Sequence, residues 1–148
     1  MKIISDAAGQ FLLALARASV VKAMTGKKSA PVPIPPECAD DLSRRLGMFV
    51  TLKTHGELRG CIGTFVSDRP LTEQVVLTAR DSALNDSRFV GNRLRESELP
   101  LLEIDISLLS EITETDSPES IEIGVHGIVV SGRGRYAGRR GEIGRAHV

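Results

Sequence analysis

The sequence predicts an α+β fold, an antiparallel sheet with flanking helices. Three observations carry that expectation. Apolar residues recur at helical steps in residues 6–24 and again from 71 to about 84. Two β-prone runs flank His55-Gly56, a pair suited to a tight hairpin turn. Residues 102–108 alternate strictly between apolar and polar. Strands in hairpins separated by helices favour an antiparallel sheet.

The first helix is expected over residues 6–24. Ala8, Phe11, Leu12, Leu15 and Ser19 mark its inner stripe. Ser5 is the candidate N-cap, and Asp6 sits at the positive end of the helix dipole. The run from Gly26 ends it. "APVPIPPE" has four prolines in eight residues and must be an extended connector. A short helix is expected at 37–45, with Cys38 near its start, read as a small packing residue.

In "GMFVTLKTHGELRGCIGTF", a two-residue loop pairs Thr54 with Glu57, Leu52 with Arg59, Val50 with Cys61 and Met48 with Gly63. The period of two then places Arg59, Cys61 and Gly63 on one face. Leu58, Ile62 and Phe49 turn to a core. A helix capped by Ser67 or Asp68 follows, its inner stripe Leu71, Val75, Ala79 and Ala83. "NDSRFVGNRLRESELP" is a polar loop, in which Asp86 and Arg88 fix the exit from the helix. In the next strand Leu102, Ile104, Ile106 and Leu108 share one face, and Glu103, Asp105 and Ser107 the other. "IEIGVHGIVV" reads as strand, turn at 124–127, and strand.

The 148 residues suit a single domain. Hydrophobic content of 41% and charged content of 26% are ordinary for a globular chain. Net charge is zero, yet residues 132–148 hold five arginines and one glutamate, so the body is mildly acidic. An acidic body with 3% aromatics argues against nucleic acid. The two cysteines, Cys38 and Cys61, form no zinc framework. The apolar run Phe11–Ala16 is too short for a signal core or a membrane span, which points to a cytoplasmic protein.

Hydrophobic periodicity ends at Gly132, so the expected division is a domain over 1–131 and an unrelated tail over 132–148. The terminal "EIGRAHV" back-translates as GAG ATC GGA AGA GCA CAC GTC, a string similar to a common sequencing adaptor. Residues from about 142, His147 included, are therefore expected to pack on nothing.

"GMFVTLKTHGELRGCIGTF" resembles the signature of the AMMECR family, called AmmeMemoRadiSam system protein A in prokaryotes. The likeness continues in "NDSRF", "ELPLLEIDISLLS" and "GVHGIVV". It implies an α+β domain truncated here at its C-terminus. It also implies a setting that contains Memo-like and radical S-adenosylmethionine proteins. It implies no defined reaction.

Within the motif, Cys61 is the candidate nucleophile and Arg59 the charge that favours its thiolate. Gly60 and Gly63 open space beside it. His126, Glu103 or Asp105 is the candidate base, with the two carboxylates also candidates for substrate contact. Each residue also has a plain role: a buried cysteine, an Arg59–carboxylate strand tie, a turn histidine. Two carboxylates and one histidine make no metal set, and no metal or cofactor is expected. Two functions remain open. One is a pathway component with a functional cleft at LRGCIG, thiol-dependent in one version. The other is a non-catalytic partner-binding or substrate-presenting module in which LRGCIG is a structural hairpin.

Overall fold

Ser5 begins the first helix as expected: its hydroxyl accepts from the Ala8 N–H at 3.3 Å. Helix α1 spans Asp6–Thr25 and ends at Gly26, whose φ of 69° is the left-handed cap that glycine adopts without strain. The computed structural model describes residues 3–28, 30–114, 117–123, 125–127 and the backbone of 146–147. After the proline connector, a 3₁₀ turn at Pro36–Cys38 leads into α2, Ala39–Ser43. Strand β1 is Met48–Thr54, β2 is Glu57–Thr64, α3 is Leu71–Leu84 and β3 is Leu102–Leu108.

The sheet is antiparallel in the order β2–β1–β3–β4, where β4 is the two residues Ala146–His147 beside Leu108 and Ser107. That pairing corrects the expectation that everything from about 142 packs on nothing. Helices α1 and α3 lie against each other, joined by the Ser19 hydroxyl donating to the Val76 carbonyl at 2.6 Å. The core between helices and sheet holds Leu12, Val20, Leu71, Val75 and Ala79 from the helices. The sheet supplies Met48, Val50, Leu52, Ile106 and Leu108, and Cys38 is fully buried among them. By length and composition α1 is sufficient to cross a membrane, correcting the expectation from its short apolar run. In the fold its Ala8, Phe11, Leu12, Ala16 and Val20 are core residues.

Three further local expectations differ from the fold. Helix α3 starts after Pro70, not at Ser67 or Asp68; the Ser67 hydroxyl instead accepts from the Arg69 N–H. Residues 121–123 form no strand; a turn follows Glu122, whose carbonyl accepts from the Val125 and His126 N–H groups. The second expected strand, 128–130, lies outside the described residues.

The hairpin turns at His55-Gly56, with φ of 53° and 75°, as a two-residue loop requires. Its register is not the expected one. A bulge between Leu52 and Lys53 leaves Arg59 without an opposite residue, so Leu52 faces Gly60, Thr51 faces Cys61 and Val50 faces Ile62. One extra residue shifts every pair beyond it by one position. Gly60 and Ile62 therefore turn to α3 with Val50 and Leu52. Cys61 and Gly63 turn to the other face with Thr51 and Phe49.

Candidate functional site

The bulge separates Arg59 from Cys61. Arg59 is only 5% exposed and donates to Glu98 Oε2 at 2.8 Å and to the Arg93 carbonyl at 3.3 Å. Glu98 also accepts from the Thr54 hydroxyl, which places Arg59 on the Thr54 side of the sheet. Thr54 and Thr51 are three residues apart and so point to opposite faces. Arg59 is thus not the charge beside the thiol, and its carboxylate partner is Glu98 rather than Glu103 or Asp105. Its Nε is buried without a hydrogen bond.

Burial is the largest influence on Glu98 and pushes its carboxyl up. Four others together outweigh it: the Arg95 N–H, bonds from the Arg59 and Arg95 side chains, and the attraction of Arg59. The carboxyl ends at about 2.

Gly60 is explained by the helix. A Cβ there would lie 2.0 Å from the Ser82 carbonyl oxygen of α3. The Ser82 hydroxyl enters the strand ladder itself, accepting from the Ile62 N–H at 3.0 Å and set 2.8 Å from the Val50 carbonyl as donor. Gly63 is explained by the other face. A Cβ there would meet the Met48 carbonyl oxygen at 2.1 Å and Phe49 Cγ at 2.5 Å. The absent side chain leaves room for the Phe49 ring, which packs 5.3 Å from Phe65. Gly60 lies on the face opposite Cys61 and so opens no space beside it, whereas Gly63 shares the Cys61 face.

Cys61 is half-buried, and its Sγ lies 3.2 Å from Thr51 Oγ1. Because β2 is the sheet edge, its outward backbone groups need partners. Asp86 and Arg88 supply them. Asp86 Oδ2 accepts from the Cys61 N–H at 2.9 Å, and Arg88 Nη2 donates to the Cys61 carbonyl at 2.9 Å. The two side chains are paired with each other at 2.7 Å. Arg88's bonds are the largest influence on Asp86 and hold its carboxyl far below the ordinary range, against the upward push of burial. Arg88's own pKa is raised, first by its bond to Asp86 and further, against burial, by Asp86's charge and the nearby Cys61 thiol. Arg88 is therefore the guanidinium beside Cys61. Asp86 and Arg88 were legible only as loop-fixing residues. The Asp86 carboxylate does cap the turn at Ser87–Phe89, and it also closes the strand edge.

Across the sheet, Cys61 faces Thr51 and Thr51 faces Asp105. Asp105 Oδ2 lies 2.5 Å from Lys53 Nζ, and Glu103 is exposed in the adjoining row opposite Lys53. The two carboxylates expected near the thiol thus share its face. His126 is exposed in its own turn, where its Nδ1 accepts from the Glu122 N–H at 3.0 Å, and no described contact joins it to Cys61. Among the described residues, no three His, Cys, Asp or Glu side chains gather as a metal set.

The AMMECR1 family profile matches residues 13–140, running past the boundary expected at 131. A protein of Pyrococcus abyssi is 33% identical over 93% of this chain and 70% of its own length. One of Methanopyrus kandleri is 40% identical over 88% of this chain and 64% of its own. The crystal structure of an uncharacterised protein from Pyrococcus horikoshii superposes with a TM-score of 0.71 at 33% identity, covering 89% of this chain and 68% of that one. The chain thus spans about two thirds of the length of these relatives.

Proposed function

The chain belongs to the AMMECR1 family, and from that membership we propose that it is a cytoplasmic component of an AmmeMemoRadiSam-type modification pathway, working through the strand face that carries Cys61. Its partners on this reading are Memo-like and radical S-adenosylmethionine proteins. The observation that carries it is the setting of the thiol. Sγ stands against a hydroxyl, on a backbone held at both polar groups by an ion pair, on a face that also bears Lys53, Glu103 and Asp105. The Arg88 guanidinium, paired with Asp86, is the positive group held against the Cys61 backbone. Arg88, rather than Arg59, is the guanidinium at Cys61, and no described contact joins His126 to that residue.

A second reading has its own support. Arg59, Gly60, Ile62 and Gly63 each have a structural task in the hairpin. If Cys61 is also only a packing residue, the motif is a scaffold and the chain a partner-binding or substrate-presenting module.

Alkylation by iodoacetamide at neutral pH separates the two, with buried Cys38 as an internal control. A working thiol labels at Cys61 faster than a small model thiol and far faster than Cys38. Arg88→Gln slows it several-fold, while Arg88→Lys retains most of the rate. Labelling of Cys61 only on unfolding, in step with Cys38, would leave the scaffold reading standing.

A further inference from the structure

Strand β2 is an edge of the sheet, and beyond Cys61 that edge is open. The main-chain polar groups of successive strand residues point to alternate sides. The Cys61 N–H and C=O face outward, where Asp86 and Arg88 take them. The Ile62 N–H faces inward and meets the Ser82 hydroxyl, which in turn reaches the Val50 carbonyl of β1. Gly63, two residues on from Cys61, therefore turns its N–H and C=O outward again. No described residue meets either group. Gly63 is only half-buried, and with no side chain its exposed surface is main chain.

This open edge borders a cleft of about 620 Å³ between β2 and the flank of α3, within the usual range for ligand sites. Gly63 itself lines the cleft, whose apolar walls come from Ile62, Val66 and Leu77. Val66 and Leu77 are exposed. The charged lining residues are Asp68, Arg69 and Asp81, which leaves the rim net negative. A ligand matched to Gly63 must present one acceptor and one donor at strand spacing, and a second extended chain does so.

We propose that this edge docks an extended polypeptide segment, added to the sheet as a short strand at Gly63. The segment's central residue, opposite Gly63, exchanges both main-chain hydrogen bonds with it. By alternation the two neighbours of that residue point to the α3 side, as Ile62 does, and their aliphatic side chains enter the cleft against Ile62, Val66 and Leu77. The central side chain points to the other face, which carries Cys61. It stands diagonal to the thiol, at a separation of about 7–8 Å that a long side chain spans. Asp86 and Arg88 occupy the edge at Cys61 and set where the added strand stops. The negative rim favours a segment with basic flanks over one with acidic flanks. A polypeptide substrate for Cys61 rests on the functional reading above, whereas the docking itself needs no thiol chemistry.

The test is a titration of the ¹⁵N-labelled 148-residue chain with a capped Lys-Val-Thr-Val-Lys peptide, followed by amide chemical shifts. Binding should give saturable shifts at Gly63, Thr64 and Leu77, move the Gly63 amide proton downfield and slow its exchange with water. The same peptide N-methylated at its threonine lacks the central donor and should bind at least tenfold more weakly. A Glu-Val-Thr-Val-Glu peptide should also bind more weakly than the parent. Leu77→Asp puts a charge on the exposed cleft wall and should cost at least tenfold. The spectra themselves report whether the variant is folded, and Val66→Asp, at a more exposed position, carries the same expected loss. No saturable shift, an unmoved Gly63 amide, or equal binding of the N-methylated peptide would overturn the proposal, as would tighter binding of the glutamate-flanked peptide. Iodoacetamide labelling of Cys61 uses no peptide and this titration uses no thiol chemistry, so failure of the docking and failure of the thiol reading are told apart.

Discussion

Gly60→Ala is expected to cost about 3 kcal/mol or more, at the upper end of overpacking penalties. The added Cβ would stand 2.0 Å from the Ser82 carbonyl oxygen and 2.9 Å from its carbon. Both are backbone atoms in the last turn of α3, so no side chain can swing aside. Strand and helix must part. Parting them stretches the Ser82 hydroxyl away from Ile62 N–H and the Val50 carbonyl. Urea unfolding read by far-ultraviolet circular dichroism measures the loss. Gly56→Ala is the useful contrast. That glycine has nothing within 4 Å of its Cβ position, and only its φ of 75° opposes the change, so its cost should be nearer 1 kcal/mol. Equal costs at the two positions would show that α3 does not approach β2 as described.

Arg59→Ala should cost about 3 kcal/mol, near the low end for breaking a buried pair. The low end applies because Glu98 is 18% exposed and keeps two bonds from Arg95. A double variant, Arg59→Met with Glu98→Leu, should recover part of that loss, since no lone charge is left behind. The pair also carries a pH signature. Glu98 is held at about 2 from an ordinary 4.5, so the folded state binds fewer protons than the unfolded chain. The stability it contributes is fully present above pH 4.5 and is lost as pH falls toward 2. Asp86, also lowered, extends the loss further into acid. With Arg59 removed, the Glu98 carboxyl moves back toward 4.5, and the curve of urea midpoint against pH flattens between pH 4.5 and 2. An unchanged slope would mean that Arg59 does not hold Glu98.

Much of the architecture is written locally. The type of turn at His55-Gly56 depends on two residues that tolerate positive φ. The helix stripes Phe11–Leu12 and Leu71–Val75–Ala79–Ala83 depend on spacing within a few turns, and all are buried. The faces of β3 follow from alternation, which correctly put Glu103 and Asp105 away from Leu102, Ile106 and Leu108. The family signature, too, is a local string.

The candidate site was legible only in part, and the reason is distance along the chain. Alternation through "RGCIG" placed Arg59 and Cys61 together because a period of two admits no extra residue. The bulge that parts them is held by Glu98, 39 residues away. Gly60 reads as a gap beside the thiol until α3, through Ser82, is seen lying on it. The clamp on Cys61 comes from Asp86, 25 residues on, which satisfies a strand edge whose existence depends on the order of the whole sheet. Turns and amphipathic stripes are set by near neighbours, so sequence alone determined them. Which guanidinium meets the thiol depends on a one-residue slip stabilised by remote partners, and only the tertiary structure decided it.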